Sequence, residues 1–508
     1  MSDKGQVKKI FPCRAPFVPY PTSLLQAEIR TFLDSQVEWL LVRASGKTFS
    51  LESAEIEISS ERERTLFSFL DDKGFQTWRV ADCKIERGKI ILDLSRNFGR
   101  ETEKIKLVPR ISVKELSATV ELARLEKANE IGKIIEENIR GARLLRVSLN
   151  EKNGRFAQII FENQRAAQTV VLADVSAALT SEMLLSAAIL RLAKLENRKK
   201  NPIGRLWILS ERKQSKNLQK LHALLEDDWK AKIKIVEISR EKDGKAKLKE
   251  LESLRISALW KAKSKDVKPT EDAQTSEAAR KIIELAPAEI DVVFSRHGET
   301  LRFSGLPFAR VRKVFEREKV WFGIERNRRI LSEETQKDLL ELIENLKKYR
   351  RHASPNKRHA FYALAPEAWL EAILRRNIRL LDANLILSPV YHQFRAERDK
   401  IDLLALRRDG RLVIIELKTA IDREMIFQAA DYWRKIELQR RTGNLKKMRI
   451  FGDAEISEKP ALIYLVAPTF SFHPDFEFLT RTISPEIGIC RFDLNENWRE
   501  QIRVLRRR

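Results

Sequence analysis

Cysteine and histidine are scarce in this chain of 508 residues. Cys13, Cys83 and Cys490 lie far apart in the sequence, and none of them belongs to a CxxC pair. This spacing argues against a disulfide framework and against a cysteine-ligated zinc site, and it fits a reducing compartment. The six histidines are dispersed as well, without an HExxH cluster, which excludes that common zinc motif.

Long apolar segments are missing too. No apolar run reaches about 18 residues, the length of a membrane-spanning helix. The N-terminal residues MSDKGQVKKIFPC contain no apolar core of the kind found in signal peptides. The protein is therefore expected to be soluble and cytoplasmic, without contact to a membrane.

Acidic residues are outnumbered by basic ones, with 73 Asp and Glu against 97 Lys and Arg, and the formal net charge is +24. Such an excess attracts polyanions and accelerates their capture, and nucleic acid is the usual polyanion. The excess is spread along the chain rather than concentrated in one basic tail. Nucleic acid, DNA in the first place, is the expected partner, while a protein partner or a homodimer is left open.

Five segments differ in residue pattern, and together they predict a multidomain α/β protein. At roughly 150 residues per domain the length allows about three domains. A Lys-rich stretch, in which a helix is expected from Lys245 to Lys263, separates two regions that each combine strands with helices. The predicted segments are a β-rich N-terminal module (1–112), an α/β domain (113–239), a charged linker (240–285), a basic β-hairpin and helix module (286–357) and a second α/β domain (358–508).

Residues 413–419, VIIELKT, form an apolar strand that ends in two charges. Glu416 and Lys418 are two residues apart, so on an extended chain their side chains point to the same face. Charged residues of these types are almost never buried without a partner. The strand therefore ends either in an ion pair or in a site.

Asp402 precedes Glu416 by 14 residues, and the connection contains Asp409-Gly410, a strong hairpin signal. A two-residue turn would place Asp402 opposite Leu417. A three-residue loop, Arg408-Asp409-Gly410 with a left-handed Gly410, places Asp402 directly opposite Glu416. The even separation favours the three-residue loop, because only then do the two acids share a face.

Two carboxylates that face each other across neighbouring strands are destabilising unless a cation lies between them. Lys418 is one candidate for that cation, and a divalent metal is the other. Oxygen ligands without histidine or cysteine suit Mg²⁺ or Mn²⁺. A metal lowers the pKa of a bound water, and an ammonium group can orient that water or hold the developing anion. These residues therefore predict a hydrolytic site.

The order of the residues resembles the PD-(D/E)xK nuclease superfamily. Asp402 is followed by Glu416-Leu417-Lys418 at the end of the next strand, and the following helix carries Gln428 and Tyr432 on one face. This QxxxY spacing is similar to the RecB-type branch, although no Pro precedes Asp402. The resemblance covers residues 358–508 and implies a restriction-endonuclease-like α/β/α core with a mixed sheet.

The resemblance also implies roles for individual residues. The implied catalytic residues are Asp402, Glu416 and Lys418. The implied ligands of Mg²⁺ or Mn²⁺ are Asp402, Glu416, the Leu417 carbonyl and Glu371 on the preceding helix. Gln428 and Tyr432 are implied to position the metal site or the DNA phosphate.

Each assignment has an alternative. Glu416 and Lys418 could form a solvated ion pair on an edge strand, although four apolar residues before them favour a buried central strand. Gln428 and Tyr432 could be helix-surface and core-rim residues. Glu371 lies off the apolar stripe of its helix and could be exposed to solvent.

The module at 286–357 contains two further patterns. Arg310, Arg312 and Lys313 belong to a basic stretch assigned to nucleic-acid binding, with a plain solvated surface as the alternative. Upstream, residues 296–300, RHGET, resemble the signature of histidine phosphatases, a family that needs a second catalytic histidine and an α/β domain behind the motif. A strand follows here at once, so His297-Gly298 is predicted to be the turn of a β-hairpin.

The first α/β domain repeats the element order of the second. Residues 169–190 align without gaps beneath residues 412–433, and the apolar positions largely coincide. Ala173 and Val175 fall at the positions of the Glu and the Lys of the ELK sequence. Two alternatives stay open: a degenerate, catalytically silent nuclease-like copy, or an unrelated α/β domain.

The leading hypothesis is a metal-dependent nuclease that hydrolyses phosphodiester bonds, of DNA in the first place. By resemblance, its setting is DNA repair, restriction or defence. The alternative is a nucleic-acid-binding or complex-forming subunit whose nuclease fold is silent or latent. Tight, salt-sensitive DNA binding without metal-dependent cleavage would favour that alternative.

Overall fold

Four β-sheets and their flanking helices make this chain a mixed α/β protein, as far as its residues are described. The computed structural model describes residues 22–36, 38–43, 48–61, 64–71, 74–86, 88–96, 101–110, 113–150, 154–164, 167–198, 202–240, 245–261, 274–295, 298–314, 317–324, 327–387 and 402–508. These residues fall into two units. The first comprises the described parts of Met1–Asn129, Ser148–Ala157 and Asp174–Leu179, and the second comprises the rest.

The first sheet is formed by strands in which apolar and polar residues alternate, so that one face of the sheet can be buried. Its elements are α1 (Thr22–Leu33), β1 (Glu38–Arg43), β2 (Thr48–Glu52), β3 (Ile56–Glu61), β4 (Arg64–Asp71), β5 (Gly74–Glu86), β6 (Lys89–Arg96) and β7 (Glu101–Pro109). The described strands pair antiparallel in the order β2-β1-β7-β6-β5-β4-β3. Ile29 and Leu33 of α1 pack into the same core as Trp39. The strands expected in this region are present, whereas α1 was not predicted.

The second sheet belongs to what we call the first α/β layer. Its elements are α2 (Val113–Asn138), β8 (Arg143–Leu149), β9 (Phe156–Glu162), β10 (Gln168–Asp174), α3 (Ser181–Glu196), β11 (Leu206–Glu211), α4 (Arg212–His222), α5 (Asp227–Lys232), β12 (Ile233–Arg240) and β13 (Ala246–Glu250). The strands lie side by side in sequence order. Strands β10, β11 and β12 are parallel, and β13 is antiparallel to β12.

The segment predicted as a charged linker contributes regular elements. The helix expected from Lys245 to Lys263 is wrong, because Ala246–Glu250 forms the edge strand β13 and Ile256–Lys261 forms a short 3-10 helix. The sequence AKLKE alternates apolar and charged residues, which suits a sheet edge with one covered face. The centre of the predicted linker, residues 262–273, lies outside the described residues.

The third sheet is an antiparallel meander. This meander module consists of α6 (Glu277–Ile283), β14 (Ile290–Ser295), β15 (Gly298–Phe303), β16 (Leu306–Val314), β17 (Arg317–Phe322), β18 (Arg329–Ile330) and α7 (Gln336–Tyr349). Ser295 pairs with Gly298, so the predicted β14–β15 hairpin is confirmed. Gly298 begins β15 rather than forming the turn, and His297 lies outside the described residues.

The fourth sheet belongs to the second α/β layer. Its elements are α8 (Ala360–Ala363), α9 (Pro366–Arg376), β19 (Leu385–Leu387), β20 (Leu403–Arg407), β21 (Leu412–Leu417), α10 (Met425–Arg441), α11 (Asn444–Lys447), β22 (Leu462–Pro468), α12 (Phe476–Thr480), β23 (Gly488–Leu494) and β24 (Val504–Arg507). Strands β21, β22 and β23 are parallel, while β19–β20–β21 and β23–β24 are antiparallel.

Strand β21 is buried along its whole length, as a central strand should be. Its odd-numbered residues Val413, Ile415 and Leu417 join a core cluster with Leu370 and Leu374 of α9. The even-numbered residues point to the opposite face, and α10 also packs on β21 and β22. Within the described residues, no helix combines the length and the apolar character needed to cross a bilayer.

Arg350 joins the meander module to the start of α9. Its side chain is 1% exposed, and it lies 4.8 Å from the ring centre of Trp369. It donates hydrogen bonds to the carbonyls of Phe303, Ser304, Phe361, Leu364 and Ala365. Burial, aided by the charge of Arg499, lowers the pKa of Arg350 to about 9, so the guanidinium is still protonated at neutral pH.

Replacing Arg350 by Met is expected to lower the free energy of unfolding by about 3 kcal/mol or more, because buried carbonyls lose their donors. Replacement by Lys keeps a charge and some of the donors, so the loss should be smaller. Urea unfolding followed by tryptophan fluorescence measures both variants. Equal stability of the Met variant and the parent protein would contradict this role.

Candidate functional site

The β20–β21 hairpin brings the two predicted acids together. Leu403 pairs with Ile415 in the antiparallel register, so one further step along both strands sets Asp402 opposite Glu416. The Asp402 Oδ2 atom also accepts a hydrogen bond of 2.9 Å from the Leu417 N–H group. The start of β20 is thereby tied to the end of β21.

The hairpin loop has the predicted three-residue form. The Arg407 N–H group donates to the Arg411 carbonyl at 2.8 Å, which leaves residues 408–410 as the loop. Gly410 is left-handed, with φ of 77°. A Cβ atom at Gly410 would lie 2.8 Å from the Glu455 carbonyl oxygen, so both conformation and space favour glycine.

Glu416 is a buried carboxylate whose two oxygens differ in their surroundings. The residue is 3% exposed, and its Oε1 atom accepts a hydrogen bond of 2.9 Å from Lys418 Nζ. Its Oε2 atom has no hydrogen-bond partner among the described residues. Burial raises the pKa of Glu416 well above its ordinary value, and the charge of Asp402 raises it further against the influence of Lys418.

Lys418 lies between carboxylates. Its Nζ atom is 2.9 Å from Glu416 and 3.4 Å from Asp422. Burial by itself would lower the pKa of Lys418, but Glu416, Asp422 and Glu367 outweigh burial and raise it above the ordinary lysine value. The ammonium group is therefore a permanent cation at neutral pH.

Asp422 and Glu367 are members of this cluster that the sequence interpretation missed. Asp422 Oδ1 accepts hydrogen bonds from the N–H groups of Glu424 and Met425 at the start of α10, at 2.6 and 3.1 Å. An Asp just before a helix is a capping signal, so Asp422 could have been found from the sequence. Glu367 is a partly buried residue in the first turn of α9, and no sequence signal separates it from Glu371.

Glu371, predicted as a metal ligand, is engaged elsewhere. It is 1% exposed, which excludes the solvent-exposed alternative. Its Oε1 atom lies 3.2 Å from Arg302 and 2.9 Å from Arg375. Two cations already neutralise this carboxylate, and its part in metal binding stays a prediction that these contacts do not support.

Gln428 and Tyr432 share one partly exposed face of α10 with Asp431 and Lys435. The Lys435 ammonium lies 5.6 Å from the ring centre of Tyr432 and forms an ion pair with Asp431. The QxxxY spacing therefore gives a shared helical face, as expected. Contact of these two residues with a metal or a phosphate stays a prediction.

Strands β16 and β17 carry a basic face. Arg312 lies opposite Lys319, and Arg310 lies opposite Trp321, so these four side chains share one face of the sheet. Val311 lies on the other face and is buried in the core. Strand alternation places Lys313 on that other face, opposite Glu318, so it does not extend the basic face as the sequence suggested.

The donor set of the second layer fits a hard divalent cation. Asp402 and Glu416 supply two carboxylates, and one oxygen of Glu416 is buried without a hydrogen-bond donor among the described residues; a cation would satisfy it. Within the part of the chain that the structure describes, no group of three or more Asp, Glu, His or Cys side chains is placed to hold a metal ion. Water, backbone oxygen or substrate phosphate would have to fill the remaining positions, as is common for Mg²⁺.

Comparison with protein families gives no matching family model, and no curated protein matches the sequence. Two solved structures resemble part of the chain. "Structure of EndoMS in apo form" has 13% identity, covers 39% of this chain and 90% of that chain, and gives a TM-score of 0.14. "Structure of EndoMS-dsDNA2 complex" has 15% identity, covers 36% of this chain and 83% of that chain, and gives a TM-score of 0.13.

The raised pKa of Glu416 predicts a specific pH dependence of stability without metal. The folded protein holds this proton more tightly than the unfolded chain does, so the stabilisation is present below the ordinary carboxyl pKa and is lost as pH rises through the raised pKa. In a chelator, the parent protein should therefore lose stability relative to Glu416→Gln as pH rises from the ordinary carboxyl pKa into the alkaline range. Addition of Mg²⁺ or Mn²⁺ at the upper pH should stabilise the parent protein and leave the Gln variant unchanged.

Thermal unfolding of both proteins across this pH range, with and without metal, provides the measurement. If the stability of the parent protein and of Glu416→Gln changed with pH in the same way, Glu416 would not titrate as described.

Proposed function

We propose that the second α/β layer is a metal-dependent nuclease that hydrolyses phosphodiester bonds of DNA. One observation carries the proposal: the β20–β21 register sets Asp402 opposite Glu416 beside Lys418, and a buried oxygen of Glu416 has no donor among the described residues. The hydrogen bond from the Leu417 N–H gives Asp402 a structural role, but an ion pair between Glu416 and Lys418 does not require a second acid opposite the first. The arrangement makes sense when a further cation and an anionic substrate complete it.

Asp402 and Glu416, with the Leu417 carbonyl, are the residues that would hold Mg²⁺ or Mn²⁺. The bound cation supplies Lewis acidity, which acidifies a water molecule and neutralises charge on the phosphate. In the hydrolysis, one bond forms between the water oxygen and phosphorus, one P–O ester bond breaks, and a proton passes to the leaving oxygen. The resemblance of the Asp402, Glu416 and Lys418 spacing to PD-(D/E)xK nucleases agrees with this reaction.

Lys418 acts as a hydrogen-bond donor in this proposal and not as a base. Its pKa is raised, so the side chain has no free lone pair near neutral pH. Glu416 and Asp422 fix the position of the ammonium group from two directions. A fixed cation can orient the attacking water and stabilise the negative charge that grows on the phosphoryl oxygens.

The proposal is tested by incubating plasmid and single-stranded DNA with the full chain and Mg²⁺ or Mn²⁺. Asp402→Asn, Glu416→Gln and Lys418→Met should each reduce the cleavage rate by about 100-fold or more, the loss expected when a group that stabilises transition-state charge is removed. Lys447→Met is the matched control, because it removes the same charge from an exposed position on α11. A chelator should abolish cleavage by the parent protein.

Unchanged cleavage in the Glu416→Gln and Lys418→Met proteins would refute the proposal, because a contaminating nuclease or another site would then be responsible. Folding of each variant is verified by circular dichroism before rates are compared.

The basic face supports a second function, namely nucleic-acid binding by a subunit whose nuclease site is silent or latent. Arg312 and Lys319 lie opposite each other on neighbouring strands, which is unfavourable for like charges unless a polyanion lies over them. Trp321 on the same face offers a surface on which a base can stack.

In a chelator, Arg312→Gln should weaken DNA binding at all sequences and reduce the dependence of log K on log salt by about one unit. Lys313→Gln makes the same change in charge one residue later on the opposite face, so it should have little effect. Fluorescence anisotropy over a series of salt concentrations measures both variants. Equal effects of the two substitutions would rule out a specific role for the basic face.

A further inference from the structure

The two α/β layers have the same architecture. Strands β8 to β13 and strands β19 to β24 each lie in sequence order across their sheets. In both layers the third, fourth and fifth strands are parallel and the sixth is antiparallel. In both, a helix directly follows the third strand (α3 and α10) and another lies between the fourth and fifth strands (α4 and α12), while the short helices α5 and α11 are additional elements of one layer each. Agreement over six strands identifies equivalent elements in the two layers.

The two layers contact each other through equivalent positions. Leu225 is the third residue after α4, and Ile483 is the third residue after α12. These two residues form an antiparallel bridge. On one side the Glu226 N–H donates to the Thr482 carbonyl at 2.9 Å, and on the other side the Ser484 N–H donates to the Leu224 carbonyl at 2.8 Å. When a residue of one layer pairs with the equivalent residue of the other layer, the two layers are related by a twofold axis that passes near this pair.

The helices around this bridge repeat the same relation. Helix α3 packs against its equivalent α10. Helix α4 contacts α10, and its equivalent α12 contacts α3. When each helix is replaced by its equivalent in the other layer, the contact of α4 with α10 becomes the contact of α12 with α3, and both contacts are present. This is the pattern of an isologous dimer interface, here formed within one chain.

The candidate site is present in one layer and missing from the other. Residues 168–180, which comprise β10 and the loop after it, contain no lysine, and Asp174 is their sole acid. The Asp174 carboxylate accepts hydrogen bonds from the N–H and hydroxyl groups of Ser176 and from the Leu179 N–H. The neighbouring strand β9 has no acid before its last residue, Glu162. A facing pair of acids with an adjacent lysine cannot form here in any register.

We infer that this chain is a one-chain pseudo-dimer with a single working half, and that it therefore cuts one strand of duplex DNA per binding event. The inference rests on the proposed nuclease function of the second layer. The two strands of a duplex are related by twofold axes, so a twofold-symmetric protein presents one half to each strand. The second layer hydrolyses one P–O bond in its strand. The first layer faces the other strand without a facing pair of acids and a lysine at the positions equivalent to the candidate site.

The test follows supercoiled plasmid in Mg²⁺ or Mn²⁺ with the full chain in limiting amount. Open circles should accumulate first, and linear DNA should appear only later, through unrelated nicks that happen to lie close together. The rate of open-circle formation should rise in proportion to protein concentration. Direct conversion to linear DNA without accumulation of open circles, at any protein concentration, would overturn the inference.

The same assay separates the two proposals. Absence of metal-dependent conversion, or conversion that persists in the Lys418→Met protein, refutes the nuclease function and removes the basis of this inference. Nicking that disappears with Asp402→Asn and persists with Asp174→Asn, after correction for the folded fraction, supports both. Equal losses in the two Asn variants would show that the first layer takes part in hydrolysis, and the inference would be wrong.

Discussion

The second α/β layer depends on one unfavourable arrangement, a buried carboxylate that faces a second carboxylate. Removal of Glu416 from water and the charge of Asp402 both disfavour its ionised form. Lys418 offsets part of this penalty but reaches only one oxygen of Glu416, and the other oxygen has no donor in the described part of the chain. The ammonium group is itself held by Asp422, which also accepts hydrogen bonds at the start of α10. The position of that helix is thereby coupled to the charges at the end of β21.

The surrounding structure keeps this arrangement from relaxing. Gly410 favours the three-residue loop that sets the hairpin register. Arg350 donates hydrogen bonds to the carbonyls of Leu364 and Ala365, which directly precede α9. Gly305 in the meander module lies so close to α9 that a Cβ atom would be 1.9 Å from the Ala368 carbonyl oxygen. Arg302 of the same module pairs with Glu371 on that helix. The meander module therefore acts as a support for the helix that packs on β21, in addition to carrying the basic face.

What could be predicted from the sequence depends on the range of the interactions involved. The register of the β20–β21 hairpin follows from an even spacing and an Asp-Gly turn, which are local signals, and the pairing of Leu403 with Ile415 agrees with it. The environment of Glu371 is set by Arg302, which is 69 residues away in another module, so periodicity within its helix could not reveal it. The strand at Ala246–Glu250 was missed for the same reason, because a Lys-rich pentapeptide becomes a strand only when β12 offers it an edge.

In the first α/β layer, different constraints act on the positions aligned with the candidate site and on the helices. Ala173 and Val175, at the aligned positions, are both buried, so an acid at either position would carry the penalty of burial without compensation. Leu185 and Ile189 align with Gln428 and Tyr432 and are completely buried, so apolar contacts occupy positions that are partly exposed in the second layer. The helices of this layer cannot be lost in the same way, because α3 and α4 cover surfaces of α10 and α12. The packing between the two layers therefore constrains the helices of the first layer independently of the residue types at Ala173 and Val175.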